Sequence, residues 1–157
     1  MPICLLFLSL WLWGGNLQGQ NLDCGSPIPL SECQIFSGNV AFGASNIEEY
    51  ETPGFGGFQA SISGKTGKEV VHTIQTTASS IRINLTSPTG ATVTGFILSS
   101  CDNGTLGIPF AYEFFELGEE VVDLSSVQGV SNNTYYLVVE GPTDGSDAPY
   151  TLQLNDA

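Results

Sequence analysis

His72 is the only imidazole in the chain, so any Ser-His-Asp or Cys-His chemistry would have to pass through it. It lies within Glu69-Val70-Val71-His72-Thr73-Ile74, where alternation sets it beside Val70 and Ile74 on the inner face of a strand. A base that works at a cleft is usually presented by a loop or a strand end, so a hydrogen-bonded core or rim histidine is expected here. Paired carboxylates are the other catalytic motif to weigh. Glu113, Glu116, Glu119 and Glu120 surround Leu117-Gly118, which reads as a hairpin turn. An exposed turn provides no desolvated pocket to drive two carboxylate pKa values apart, so these charges are expected to solvate the turn. No enzyme activity is expected.

Calcium is the more serious chemistry, because hard cations take carboxylate, amide and carbonyl oxygens that sandwich loops can supply. Asp102, Asn103, Asp144 and Asp147 are the candidate ligands, with Glu48, Glu49 and Glu51 behind them. Their spacing matches no EF-hand loop, and tight turns call for the same residue types. Zinc has too few Cys and His ligands. Tyr50, Phe55 and Phe58 lie in or beside the long acidic segment from Gly43 to Gly57. Such rings either stack on a sugar or anchor a protein partner, or else they cap one end of the core. Asn84-Leu85-Thr86, Asn103-Gly104-Thr105 and Asn132-Asn133-Thr134 match the glycosylation acceptor pattern, as chance allows in a chain this rich in Ser and Thr.

The elements that must position these residues are short. Segments rich in β-branched and aromatic residues alternate with Gly, Pro, Asn, Asp and Ser clusters, which is the pattern of antiparallel strands. Strands are predicted at Asn39–Ala44, Gly57–Ser63, Glu69–Gln75, Ser80–Thr86, Thr92–Ser99, Phe110–Phe115, Glu119–Ser125, Thr134–Glu140 and Tyr150–Leu154. Ile81, Ile83 and Leu85 share one face; so do Tyr135, Leu137 and Val139, and Tyr150, Leu152 and Leu154. Two sheets with one apolar face each must cover one another. The expected fold is therefore all-β, a single antiparallel β-sandwich of jelly-roll or immunoglobulin-like type with about eight to nine strands.

The chain of 157 residues suits one domain after a leader. Residues 1–19 read as a signal peptide: an apolar run from Ile3 to Trp13 ends at Gly14-Gly15, too short to span a bilayer. Residues 20–157 then form the single sandwich domain, secreted to the exterior or the cell surface and not embedded in a membrane. With 16 acidic against 3 basic side chains and a net charge of −13, nucleic acid is excluded as a partner, since it demands clustered Lys and Arg. In an exported chain Cys24 and Cys33 are the natural disulfide pair. Cys101 is left unmatched, unless it pairs with one of those two or stays buried as a small hydrophobe.

Gly67-Lys68-Glu69-Val70-Val71-His72-Thr73-Ile74, Ser80-Ile81-Arg82-Ile83-Asn84-Leu85, Thr134-Tyr135-Tyr136-Leu137-Val138-Val139-Glu140-Gly141 and Pro149-Tyr150-Thr151-Leu152-Gln153-Leu154 together resemble the bacterial pre-peptidase C-terminal domain family. Asp23-Cys24 through Cys33 and Ser100-Cys101 resemble versions of that domain in secreted proteins of Bacteroidetes. The likeness covers most of Asn21 to Asn155, with His72 standing where an aromatic residue is usual. It implies a β-sandwich appended to secreted or surface proteins. The functional expectation is a secreted, non-catalytic module that binds an extracellular protein or glycan, or associates with the cell surface. A self-assembling subunit that packs on copies of itself is the alternative, and a small secreted hydrolase is a third.

Overall fold

Alternation decides how Ser80–Thr86 packs: Ile81, Ile83 and Leu85 are buried, while the residues between them are half-buried and Thr86 is exposed. A strand of this kind has one face on a core and one in water. The computed structural model describes residues 25–43, 49–52, 60–63, 67–101, 111–115, 117–127 and 130–156. Among them run eleven strands: β1 (Ile28–Leu30), β2 (Ile35–Asn39), β3 (Glu49–Thr52), β4 (Ala60–Ser63), β5 (Glu69–Gln75), β6 (Ser80–Thr86), β7 (Thr94–Leu98), β8 (Ala111–Phe115), β9 (Gly118–Asp123), β10 (Thr134–Glu140) and β11 (Pro149–Asp156).

They form a five-stranded sheet in the order β1-β5-β10-β7-β8, a four-stranded sheet in the order β2-β11-β6-β9, and the separate pair β3-β4. Every pairing is antiparallel except β1 with β5, where Ile28 stands opposite His72. Between the two large sheets lies one core, which includes Val70, Ile74, Leu137 and Val139 from one side and Ile83, Leu85, Tyr150 and Leu152 from the other. This is the expected β-sandwich.

Three sequence expectations change. The five-stranded sheet is buried on both faces, not one: Val71, Phe96, Leu98 and Val138 form a second apolar cluster. Its strands accordingly read as the unbroken runs Val70-Val71, Phe96-Ile97-Leu98 and Leu137-Val138-Val139. The strand expected at Asn39–Ala44 is not formed by its described residues 40–43. Asn39 ends β2, and its side chain accepts a hydrogen bond from the Ala41 N–H at 2.9 Å, which starts a 3-10 turn over Val40–Phe42. Finally, Leu117-Gly118 does not join a hairpin. β8 belongs to the five-stranded sheet and β9 to the four-stranded one, so the connection carries the chain from one layer to the other.

Candidate functional site

His72 occupies the middle of β5, fully enclosed. Its Nε2 lies 2.8 Å from the Tyr150 hydroxyl, which comes across the core from β11. Phe36 of β2 closes the third side, its ring 4.8 Å from the imidazole and nearly perpendicular to it. Gly38 makes room for this arrangement, since a Cβ there would come within 2.6 Å of the Tyr150 ring and 2.8 Å of the Phe36 ring. Burial disfavours the imidazolium and lowers the His72 pKa to about 3, an effect the Ile28 backbone opposes in part. Burial likewise pushes the Tyr150 phenol well above its usual range. A neutral imidazole sealed between sheets has no access to a substrate, and it is the core histidine that the alternation predicts.

The candidate carboxylates that fall among the described residues are dispersed. Glu119 is exposed and meets Arg82 of β6 at 2.8 Å, an ion pair worth roughly 0–1 kcal/mol at such exposure. Glu113 lies on β8 in the other sheet, and Glu116 is outside the described residues. Asp144 serves its own turn: the Ser146 side chain and then the Ser146 N–H, at 2.9 Å, hold its carboxyl below the ordinary range. Asp147 is exposed in the same loop. Asp102 and Asn103 lie outside the described residues, but Cys101 just before them follows the end of β7. Because β7 runs antiparallel to β10, that end of the sheet is opposite the one from which the Asp144 loop departs. Among the described residues no three His, Cys, Asp or Glu side chains gather as a metal site.

Of the aromatic candidates, Tyr50 falls on β3, paired with Ile62 of β4, so part of the expected long loop is a strand. Phe55, Phe58 and Cys24 lie outside the described residues, as does the leader at 1–19. Neither Cys33 nor Cys101 is a free thiol.

Sequence reasoning missed two features. Glu69 and Glu140, both 1 % exposed, stand directly opposite one another on β5 and β10. Glu140 also accepts the Gly67 N–H at 3.1 Å. The second feature is a groove of about 500 Å³ at the far end of the sandwich, lined by Leu30, Glu32, Gln75, Thr76, Thr134 and Asn155 among others. Beside it Asn132 and Asn133 have φ of 56° and 55°, and the Thr134 N–H returns to the Ser131 carbonyl at 3.1 Å. That is a type I′ turn, a conformation that Asn tolerates. The Asn-Asn dipeptide was its signal, overlaid by the glycosylation pattern.

No family model matches the chain, and no curated protein matches it in sequence. Solved structures with a similar arrangement include PliG of Aeromonas hydrophila, a periplasmic inhibitor of g-type lysozyme. It is 9 % identical, with a TM-score of 0.49 over 82 % of this chain and 94 % of that one. The pre-peptidase C-terminal domain of a collagenase from Bacillus anthracis is 15 % identical, with a TM-score of 0.44 over 83 % and 95 % of the two chains. Among the described residues no helix is long and apolar enough to cross a membrane.

Proposed function

We propose that this chain is a secreted, non-catalytic binding module that engages an extracellular protein or glycan through the segment between Gly43 and Gly67. The observation that carries this reading is how the segment is anchored. A Cβ on Gly43 would fall 2.0 Å from the Glu69 carbonyl oxygen, and one on Gly67 would fall 2.2 Å from that of Gly141. Both glycines therefore press against sheet backbone where only a residue without a side chain fits. Gly43 and Gly67, the described residues on either side of the segment, thus meet the sandwich at neighbouring points, beside the paired Glu69 and Glu140. In between, β3 pairs with β4, and the segment brings Tyr50, Phe55, Phe58 and several carboxylates. A sandwich that grips both ends of an aromatic, glycine-rich segment is a suitable frame for presenting it to a partner.

The burial of His72 supports a role without catalysis, because the chain's one imidazole is held neutral away from solvent. Export is supported by the apolar leader and by cysteines that are not free. Calcium at Asp102, Asn103, Asp144 and Asp147 is not required by this reading. The test is binding of the labelled chain to arrays of glycans and of extracellular proteins, with and without the double substitution Tyr50→Ala, Phe55→Ala. Loss of anchoring rings is expected to weaken binding about tenfold or more. Equal binding by both forms would place the contact elsewhere.

A further inference from the structure

We infer that β2 is a second docking edge, one that accepts an extended, basic segment of another protein as an added strand. A strand at the margin of a sheet presents a row of backbone N–H and C=O groups that an extended chain can satisfy along its length, and folded proteins normally guard such rows. Among the described strands the margins are β1 and β8 in one sheet and β2 and β9 in the other. β1 has only three residues, with Pro29 at its centre supplying no N–H. β8 lies beside β3 of the small hairpin. β9 carries exposed Glu119, Glu120 and Asp123, and Glu120 stands opposite Ile83, turning a charge toward the core side of an edge.

Among the described residues β2 has none of these devices. Its sequence Ile-Phe-Ser-Gly-Asn contains neither charge nor proline. Ile35, at 65 %, is the most exposed large hydrophobic residue among those described. The choice of occupant follows from charge. β1, β2, β11 and the turn holding Glu32 contain no Lys or Arg, in a chain of net charge −13. A second copy would bring the same negative charge to the edge, whereas a segment carrying Lys or Arg brings its complement. Apolar side chains at alternate positions of that segment would cover Ile35.

Amide hydrogen exchange on the full chain tests this, using as probe a short blocked peptide alternating lysine with valine, beside its glutamate-valine counterpart. The lysine peptide is expected to slow exchange within Ile35–Asn39 by about tenfold or more, and the glutamate peptide to leave it unchanged. Ile35→Lys, at an exposed position that tolerates it, should abolish the protection. The Tyr50→Ala, Phe55→Ala variant should retain it, because this edge is independent of the aromatic segment. Three results would overturn the inference: no slowing in β2, equal slowing by both peptides, or slowing that appears without peptide as concentration rises, which would make the occupant a second copy.

Discussion

Tyr150 and His72 reach each other from opposite sheets, and their 2.8 Å contact is a polar link across an otherwise apolar core. Its cost appears in acid. The folded His72 pKa of about 3 lies below the ordinary 6.5, so between those values the unfolded chain binds a proton that the folded chain refuses. Stability from this residue is fully present above pH 6.5 and is lost as pH falls toward 3. The loss by then is on the order of 4 kcal/mol. His72→Gln, which keeps a hydrogen-bonding side chain but cannot titrate, is expected to flatten the fall in melting temperature between pH 6.5 and 4. An unaltered pH profile in that variant would show that the ring is solvated in the folded state. At the same scale, Asp144 illustrates why a carboxylate in a loop is a weak signal: its oxygens are engaged by the turn that contains it.

Among the elements, β5, β6 and β10 were legible to the residue, because each alternates or runs apolar between clear turn signals. The N-terminal strands were not. β1 and β2 are short, interrupted by Pro29 and Gly38, and gain their strand character from pairing with distant β5 and β11. β3 carries Glu49 and Glu51, residue types that disfavour strands, and only its pairing with β4 overrides that preference. The site was legible in part for the same reason: burial of His72 follows from local alternation, whereas the opposition of Glu69 and Glu140 depends on a register no local pattern encodes. Gly38 belongs to this level as well. It is a strand glycine that looks like a defect until the Tyr150 ring is seen lying across it. Gly38→Ala is expected to cost about 1–3 kcal/mol by displacing that ring, measured by denaturant unfolding. A change near zero would mean that the ring has an alternative place to go.

At the scale of the whole molecule, 16 acidic against 3 basic side chains leave a net charge of −13, which repels acidic surfaces and favours basic ones. Cysteines that are not free thiols are what the proposed export calls for. If Cys24 is joined to Cys33, peptide mapping without reductant should recover the two in one cross-linked species; a Cys33–Cys101 species would refute the pairing. In the proposed function the sandwich is a frame and the segment between Gly43 and Gly67 is the part it presents. Calorimetry of the Tyr50→Ala, Phe55→Ala chain tests that division most directly. If the rings belong to the presented segment, the melting temperature should stay within about 2 °C of the parent, a shift of under about 1 kcal/mol. A fall of about 10 °C or more would instead make them core residues and contradict the account.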